Sequence, residues 1–300
     1  MATGELTRGW VTEHLPPWPA RSHKGTFGKV LVAGGSPEYA GAALLVGLGA
    51  ARSGAGLVCL ALPESIALRM SGEIPELITL VLQEEAAGLT GPNGWRRLAA
   101  ETLTYDATVI GPGLGRQSST LRRTRNLVTE LRRPAVVDAD GLNALADGDR
   151  WWRSVSTQLV LTPHPGEFGR LTRTSEVGRL ADDDAYRLER VREAALLWGQ
   201  VVVLKGAHTV IADPEGQTLR SQVATPALAT AGSGDVLAGS IGAFLAAGCE
   251  PMLAAGLGVA IHGAAGILAE QRIGRAGVMA RDIANLLPEA MEAFRGAGPR

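Results

Sequence analysis

Ala229-Thr230-Ala231-Gly232-Ser233-Gly234-Asp235 leads directly into the apolar run Val236–Ala247. Small residues and glycine let the backbone turn tightly and approach a ligand closely. Val236, Leu237, Ile241, Phe244 and Leu245 carry the spacing of a buried helix. A glycine-rich turn that feeds a helix offers unpaired N–H groups and the positive end of the helix dipole to an anion. Asp235 falls in the first turn of that helix. A carboxylate there is favourable by itself, by about 0.3–1 kcal/mol. It therefore reads either as a helix-stabilising acid or as a base that takes a proton from a hydroxyl about to receive a phosphoryl group.

Upstream, short and continuously apolar segments alternate with turns and helical stretches. Lys29–Ala33 is followed by Gly34-Gly35-Ser36 and a helix over Gly41–Gly54; Leu57–Leu62 ends at Pro63; Leu77–Leu82 precedes a helix over Trp95–Leu103. Thr108–Ile110 runs into Gly111-Pro112-Gly113-Leu114-Gly115, Leu121–Leu131 spans a helix, and Ala135–Asp138 and Leu159–Leu161 are again strand-like. Continuous apolarity means burial on both faces, so the spacing predicts an α/β fold, a mostly parallel central sheet with helices on both faces. After the charged helix Asp182–Trp198, closed by Gly199, the segments Val201–Leu204, Val210–Ala212 and Thr218–Val223 lie too close for crossover helices. That spacing predicts an antiparallel edge. No linker-like tract or internal repeat divides the chain. Residues 1–22, with Trp10, Pro16, Pro17, Trp18 and Pro19, read as an extended N-terminal lead, and residues 23–300 as a single domain.

Composition removes several classes of function. The chain is 46% hydrophobic and 20% charged with 39 glycines, which is a folded globular protein with many tight turns. A net charge of −1 with both signs interspersed points to no nucleic-acid and no membrane-surface partner. Cys59 and Cys249 stand in apolar runs and read as buried, reduced thiols. The first twenty residues lack the apolar core of a signal peptide. Leu253–Ala269 is interrupted by Gly256, Gly258, His262, Gly263 and Gly266 and reads as a packed helix rather than a membrane span. These readings place the protein in the cytoplasm.

Glycine, proline and polar residues follow the strands at 34–36, 111–115, 138–143, 162–167 and 205–209. This is the carboxyl edge at which open α/β sheets bind ligands, and a cleft is expected there. Lys205 can reach a phosphate as a point charge while Gly206 lets the backbone come close; a solvated hairpin lysine is the plainer alternative. His164 is held between Pro163 and Pro165, which restrict the backbone and fix the approach of the ring, for a ligand contact or a helix cap. Glu167 suits a cap partner or a metal-shell carboxylate. Asp138 and Asp140 at a strand end suit magnesium through water. Asp147 and Asp149 read as solvated, His262 as a core histidine with a satisfied hydrogen bond, and Asp182-Asp183-Asp184 as the charged first turn of a helix. No Walker A motif, Cys/His metal spacing or hydrolase nucleophile elbow occurs.

Six motifs taken together carry a family resemblance: H-K-G-T-F-G at 23–28, G-P-G-L-G at 111–115, D-A-D-G-L-N at 138–143, L-T-P-H-P-G-E at 161–167, V-L-K-G-A-H-T at 203–209 and A-T-A-G-S-G-D-V-L-A-G at 229–239. From about His23 to Pro288 the chain closely resembles the ADP-dependent (S)-NAD(P)H-hydrate dehydratases, relatives of ribokinase. The resemblance implies a ribokinase-like three-layer αβα fold and the repair of damaged nicotinamide cofactors. ADP would phosphorylate the 6-hydroxyl of (6S)-hydrated NADH or NADPH, and phosphate would then leave to restore the cofactor. Matched position by position, Lys205, Gly206, Ala207, His208, Thr209 and Gly234 fall on nucleotide-binding positions. Ala42, Gly113, His164 and Asp235 fall on those that contact the hydrated cofactor. Asp235 is then the catalytic base, and the N–H groups of Gly232, Ser233 and Gly234 form an anion hole. Magnesium (Mg2+), expected near Asp138 or Glu167, neutralises the diphosphate. The resemblance also implies a homo-oligomer such as a tetramer. The chain has no room for the fused epimerase of some family members, which implies a separate epimerase protein. Two departures stand out: Thr225-Pro226-Ala227-Leu228 where the family usually has Asn-Pro-Gly-Met, and Gly141 where it often has Ala. A vitamin-precursor kinase of the same superfamily and a non-catalytic nucleotide-binding protein are the rival readings. The motifs at 111–115 and 161–167 favour the dehydratase over the first, and Asp235 argues against the second.

Overall fold

Consecutive side chains of a strand point to opposite faces, and in the central strands of this protein both sets are apolar. The computed structural model describes residues 3–70 and 72–296. Its strands are β1 (Gly4–Glu5), β2 (Lys29–Ala33), β3 (Leu57–Pro63), β4 (Ile78–Leu82), β5 (Glu84–Ala86), β6 (Leu89–Thr90), β7 (Ala107–Ile110), β8 (Ala135–Val137), β9 (Leu159–Leu161), β10 (Val201–Leu204), β11 (Val210–Ala212) and β12 (Thr218–Arg220). β5 and β6 form a small hairpin; the others make one ten-stranded sheet in the order β1-β12-β11-β10-β9-β8-β7-β2-β3-β4. From β10 to β4 every pairing is parallel, while β10–β11 and β11–β12 are antiparallel. The expected antiparallel edge is present.

The helices in the first half are α1 (Arg8–His14), α2 (Ala40–Arg52), α3 (Glu64–Met70), α4 (Pro92–Glu101), α5 (Ser118–Glu130) and α6 (Asp140–Ala146). Those in the second half are α7 (Pro165–Thr172), α8 (Val177–Asp182), α9 (Asp184–Trp198), α10 (Ser233–Ala246), α11 (Pro251–Ile273) and α12 (Ala280–Arg295). Val30, Val32, Val58, Leu60 and Val109 join the core under α2, α10, α11 and α12. Leu31, Ala33, Cys59, Ala61 and Ile110 join a second core under α4 to α7 and α9. The result is three layers, helices on both faces of the sheet, as the sequence predicts. Both cysteines are free thiols, but only Cys59 is buried as expected; Cys249, just past the end of α10, is partly exposed. The apolar stretch Leu253–Ala269 lies inside α11, and most of its length is buried in the core.

One expectation needs correction. Residues 1–22 are not wholly extended: β1 pairs with β12, and α1 starts at Thr7, whose side chain accepts the Trp10 N–H. α1 seals the α11–α12 surface, with Val11 fully buried and Trp10 against Gly256, where a Cβ would meet the indole at 2.5 Å. The prolines at 16, 17 and 19 only end this helix. α9 also begins two residues later than expected, because Asp183 is its N-cap and Asp182 closes α8.

β2 has β3 on one side and β7 on the other, so successive connections leave it in opposite directions and open a crevice beyond its carboxyl end. Small residues bring α2 and α10 together above that crevice. A Cβ on Gly49 would stand 2.4 Å from the Val236 carbonyl oxygen, and one on Gly239 would stand 2.0 Å from that of Val46. Both blocking atoms are backbone, so relief requires the helices to separate. Gly239→Ala should therefore destabilise the fold by about 1–3 kcal/mol, the usual range for overpacking, and lower the thermal midpoint by several degrees. Gly178→Ala on α8, with nothing within 4 Å, should be neutral or stabilising by up to about 1 kcal/mol. Thermal melts of the two variants followed by circular dichroism check the contrast.

Candidate active site

The turn before α10 is built on Gly232, which has a left-handed backbone (φ 85°) and no side-chain cap; of the expected anion hole the Ser233 N–H is already taken, donating to the Thr230 carbonyl oxygen at 3.2 Å, while those of Gly232 and Gly234 are open. A Cβ there would collide with Leu45 at 2.4 Å. Ser233 is buried beneath the turn, its hydroxyl 3.1 Å and its carbonyl oxygen 3.0 Å from Nε2 of His262 on α11. Burial pushes the His262 pKa down to about 4, so the ring is neutral at neutral pH and anchors the turn without adding charge. The expectation of a satisfied core histidine holds, and its bond fixes the anion-accepting turn.

Lys205 at the end of β10 donates to Oδ1 of Asp138 at the end of β8, at 2.7 Å, with Glu167 Oε2 at 3.8 Å. Burial alone would lower the lysine pKa; the surrounding carboxylates, Asp138 first, reverse this, and the net shift is upward. The lysine is thus no solvated hairpin residue. A Cβ on Gly234 would lie 3.2 Å from its Nζ, which explains why the turn is bare of side chains there. The loop after β10 is held from behind by Arg187 on α9, buried, which donates to the carbonyl oxygens of Leu204, Lys205 and Ala207.

His164 is the cap of α7 and also stands on a cavity wall. Its Nδ1 accepts the Gly166 N–H at 3.0 Å, while Glu167 accepts the His164 N–H at 2.8 Å, a reciprocal box at the start of α7. Burial and then the Lys205 charge hold its pKa below the usual histidine value. Glu167, itself buried, is shifted the opposite way by desolvation. Between Asp138 and Asp140, Ala139 has φ 50° and ψ −117°, a sparsely populated conformation for a residue with a Cβ. The twist sends the two carboxylates apart: Asp138 to Lys205, and Asp140 to the Gly115 N–H and Arg116.

Two cavities meet at this point. One, of about 730 Å³, is lined by His164, Lys205, Gly206, Ala207, Thr209, the Gly232–Gly234 turn and Thr225-Pro226. The other, of about 770 Å³, is lined by Ser36, Ala42, Gly113 and Arg116. Ala139 and Asp235 line both. The expected nucleotide positions therefore come together, except that His208, with a left-handed backbone, is not on the wall. Ala42 and Gly113 are together in the other cavity, and His164 stands apart from them on the Lys205 side. Asp147 and Asp149 stay at the surface, as expected. Arg187 and Ala139 were not legible in the sequence: an arginine in a charge-rich helix and an alanine in a turn carry no signal of their own.

Burial, and after it the negative charges of Asp138 and Glu167 opposed by Lys205, push the Asp235 carboxyl up to about 7. A carboxylate poised there is suited to accept a proton near neutral pH. An anion seated on the α10 turn in one cavity and a hydroxyl in the other would meet at Asp235. That geometry is fit for transfer of a phosphoryl group between two ligands.

A family model described as NAD(P)H-hydrate dehydratase matches residues 30–289. The ADP-dependent (S)-NAD(P)H-hydrate dehydratase of Xanthomonas campestris pv. campestris is 35% identical over 265 residues, 88% of each chain. The bifunctional NAD(P)H-hydrate repair enzyme of Moorella thermoacetica is 41% identical over 283 residues, 94% of this chain and 53% of that one, so the chain spans about half the length of this relative. The crystal structure of the ADP/ATP-dependent NAD(P)H-hydrate dehydratase from Bacillus subtilis, co-crystallised with ATP/Mg2+, superposes with a TM-score of 0.83 at 32% identity, covering 98% of this chain and 99% of the other.

The Asp235 shift has a measurable sign. The folded carboxyl holds its proton up to about pH 7, whereas in the unfolded chain it ionises near its ordinary value of 3.8. Stability tied to this group is therefore intact at low pH, falls between about pH 4 and 7, and stays lost above. Asp235→Asn removes that loss. Its thermal midpoint should match wild type below about pH 4, pull ahead as the pH rises to about 7 and keep a steady lead above that, as melts on both sides of this window would register; a difference independent of pH would rule the shift out.

Proposed function

The chain belongs to the NAD(P)H-hydrate dehydratase family, and from that premise we propose that it converts (6S)-hydrated NADH or NADPH back to NADH or NADPH in an ADP-dependent reaction. The observation that carries this reading is the position of Asp235, at the head of α10 and on the wall of both cavities. In the proposed reaction ADP occupies the Lys205–Thr209 side and the hydrated nicotinamide ring the Ala42–Gly113 side. Asp235 takes the proton of the 6-hydroxyl as its oxygen attacks the terminal phosphorus of ADP, and AMP leaves. The open N–H groups at Gly232 and Gly234 would stabilise the charge that builds on the transferred group, as preorganised donors do. Phosphate is a far better leaving group than hydroxide. The ring-nitrogen lone pair expels it, a proton is lost from the neighbouring carbon, and the reduced ring is restored.

Magnesium fits this site only as a passenger on the nucleotide. No group of three or more His, Cys, Asp or Glu residues gathers for a metal among the described residues, and Asp138 is already engaged by Lys205. A donor set of isolated carboxylates suits an ion held mainly by phosphates and water, with Glu167 or Asp138 as its protein contact. When bound it supplies neutralisation of the diphosphate charge. The reading also includes a homo-oligomer, an expectation that rests on the family resemblance.

The test is direct. Hydrated NADH, magnesium and ADP are incubated with the protein, and recovery of near-ultraviolet absorbance is followed together with AMP and inorganic phosphate. Recovery with one phosphate per NADH supports the proposal, and a stable phosphorylated product would instead mark a kinase. ADP should support faster turnover than ATP at equal concentration. Asp235→Asn keeps the size of the side chain and suits a helix start, so it should fold and bind ADP. Its rate should fall by roughly 10²–10⁴-fold, the usual contribution of a general base. Near wild-type recovery by this variant would make Asp235 no more than a helix-stabilising acid.

A further inference from the structure

The cavity beside Ala42 and Gly113 presents three acids, Glu38, Asp140 and Asp235, and one cation, Arg116. A dinucleotide brings at least two negative charges on its diphosphate, and acids alone would repel it. Asp140 does not answer the ligand: its Oδ2 accepts the Gly115 N–H at 2.9 Å, and its Oδ1 accepts Arg116 Nε at 3.1 Å and Asn143 Nδ2 at 3.0 Å. The carboxylate instead grips Arg116 by one edge. The terminal NH₂ groups of Arg116 make no hydrogen bond among the described residues, and the side chain is 66% exposed. A second observation falls on the same wall. Ser36 is 4% exposed, and its hydroxyl is buried without a hydrogen-bond partner. It lies beside Gly115, 3.8 Å from where a Cβ would stand there. Buried hydroxyls are rarely left unpaired, and an arginine fork matches phosphate oxygens in geometry and charge.

We propose that Ser36 and Arg116, on either side of the bare Gly115, form a phosphate subsite of this cavity that holds the diphosphate of the hydrated dinucleotide. The proposal rests on the reading that this cavity takes the dinucleotide, and adds which residues grip its charged part. Asp140 is the positioning residue that aims the fork. The nicotinamide ring then reaches Asp235 as the far end of a tethered ligand, and affinity comes from the phosphates while chemistry happens at the ring.

The test separates the phosphates from the ring. Wild type, Arg116→Gln and Ser36→Ala are titrated calorimetrically with NADH, with reduced nicotinamide riboside, which has the ring and no phosphate, and with ADP. Arg116→Gln should weaken NADH binding at least ten-fold, as loss of a charged hydrogen bond does, and Ser36→Ala a few-fold. Riboside and ADP affinities should stay within about two-fold of wild type in both variants. Unchanged NADH affinity in Arg116→Gln, an equal loss for NADH and riboside, or no NADH binding by wild type would each overturn the subsite. These titrations need no turnover. A wild-type protein that binds NADH in this pattern yet fails to restore it from the hydrate would remove the proposed reaction and leave the subsite standing.

Discussion

The ion pair between Lys205 and Asp138 is the constraint around which the site is arranged. It ties the end of β10 to the end of β8 at 2.7 Å, with the two side chains 18% and 2% exposed. Burying either charge alone would be costly, and removing one partner of such a pair typically costs about 3–5 kcal/mol. The pair therefore fixes the floor beneath the α10 turn, and the side-chain-free Gly234 rests on it. It also sets the electrostatics above. Asp138 remains close enough to repel charge on Asp235, adding to burial, while Lys205 only partly compensates. The basicity of the residue facing both cavities is thus set first by its burial and then adjusted by an ion pair in which it takes no direct part.

Much of this was legible in the sequence because the relevant signals are periodic or local. Continuous apolarity in Val30–Val32, Val58–Leu62 and Val201–Leu204 meant burial on both faces, and both faces are covered. The short spacing after Val201 meant an antiparallel edge, and β10 to β12 supply it. The Gly-Ser-Gly-Asp turn opened a helix where its residues said it would. What was not legible depends on residues far apart in the chain. Nothing near Asp138 in the sequence shows that Lys205, 67 residues on, pairs with it. Arg187 reads as one more charge on an amphipathic helix, yet it reaches three carbonyls at the end of β10 and in the loop after it. α1 was hidden by neighbouring prolines, although Trp10 and Val11 had a place waiting in the α11–α12 surface.

The tightness of α2 against α10 serves the same purpose by other means. Both helices begin at the crevice, α2 bearing Ala42 and α10 bearing Asp235, and their glycines let the backbones come within collision distance of any side chain. Interiors packed this closely transmit displacement rather than absorb it. The distance between the two cavities is therefore set by the glycines along the helix contact as much as by the residues that line them.

A base on the wall between two cavities raises a question of idling. When nucleotide alone is seated, water fills the other side, and a carboxylate able to deprotonate a hydroxyl can deprotonate water and spill the phosphoryl group. An Asp235 carboxyl that holds its proton up to about pH 7 holds it more firmly still beside the negative charge of a diphosphate. At a pH near that value only part of the population is ionised, so a proton transfer to Asp235, whether from a bound hydroxyl or from water, draws on that ionised fraction alone.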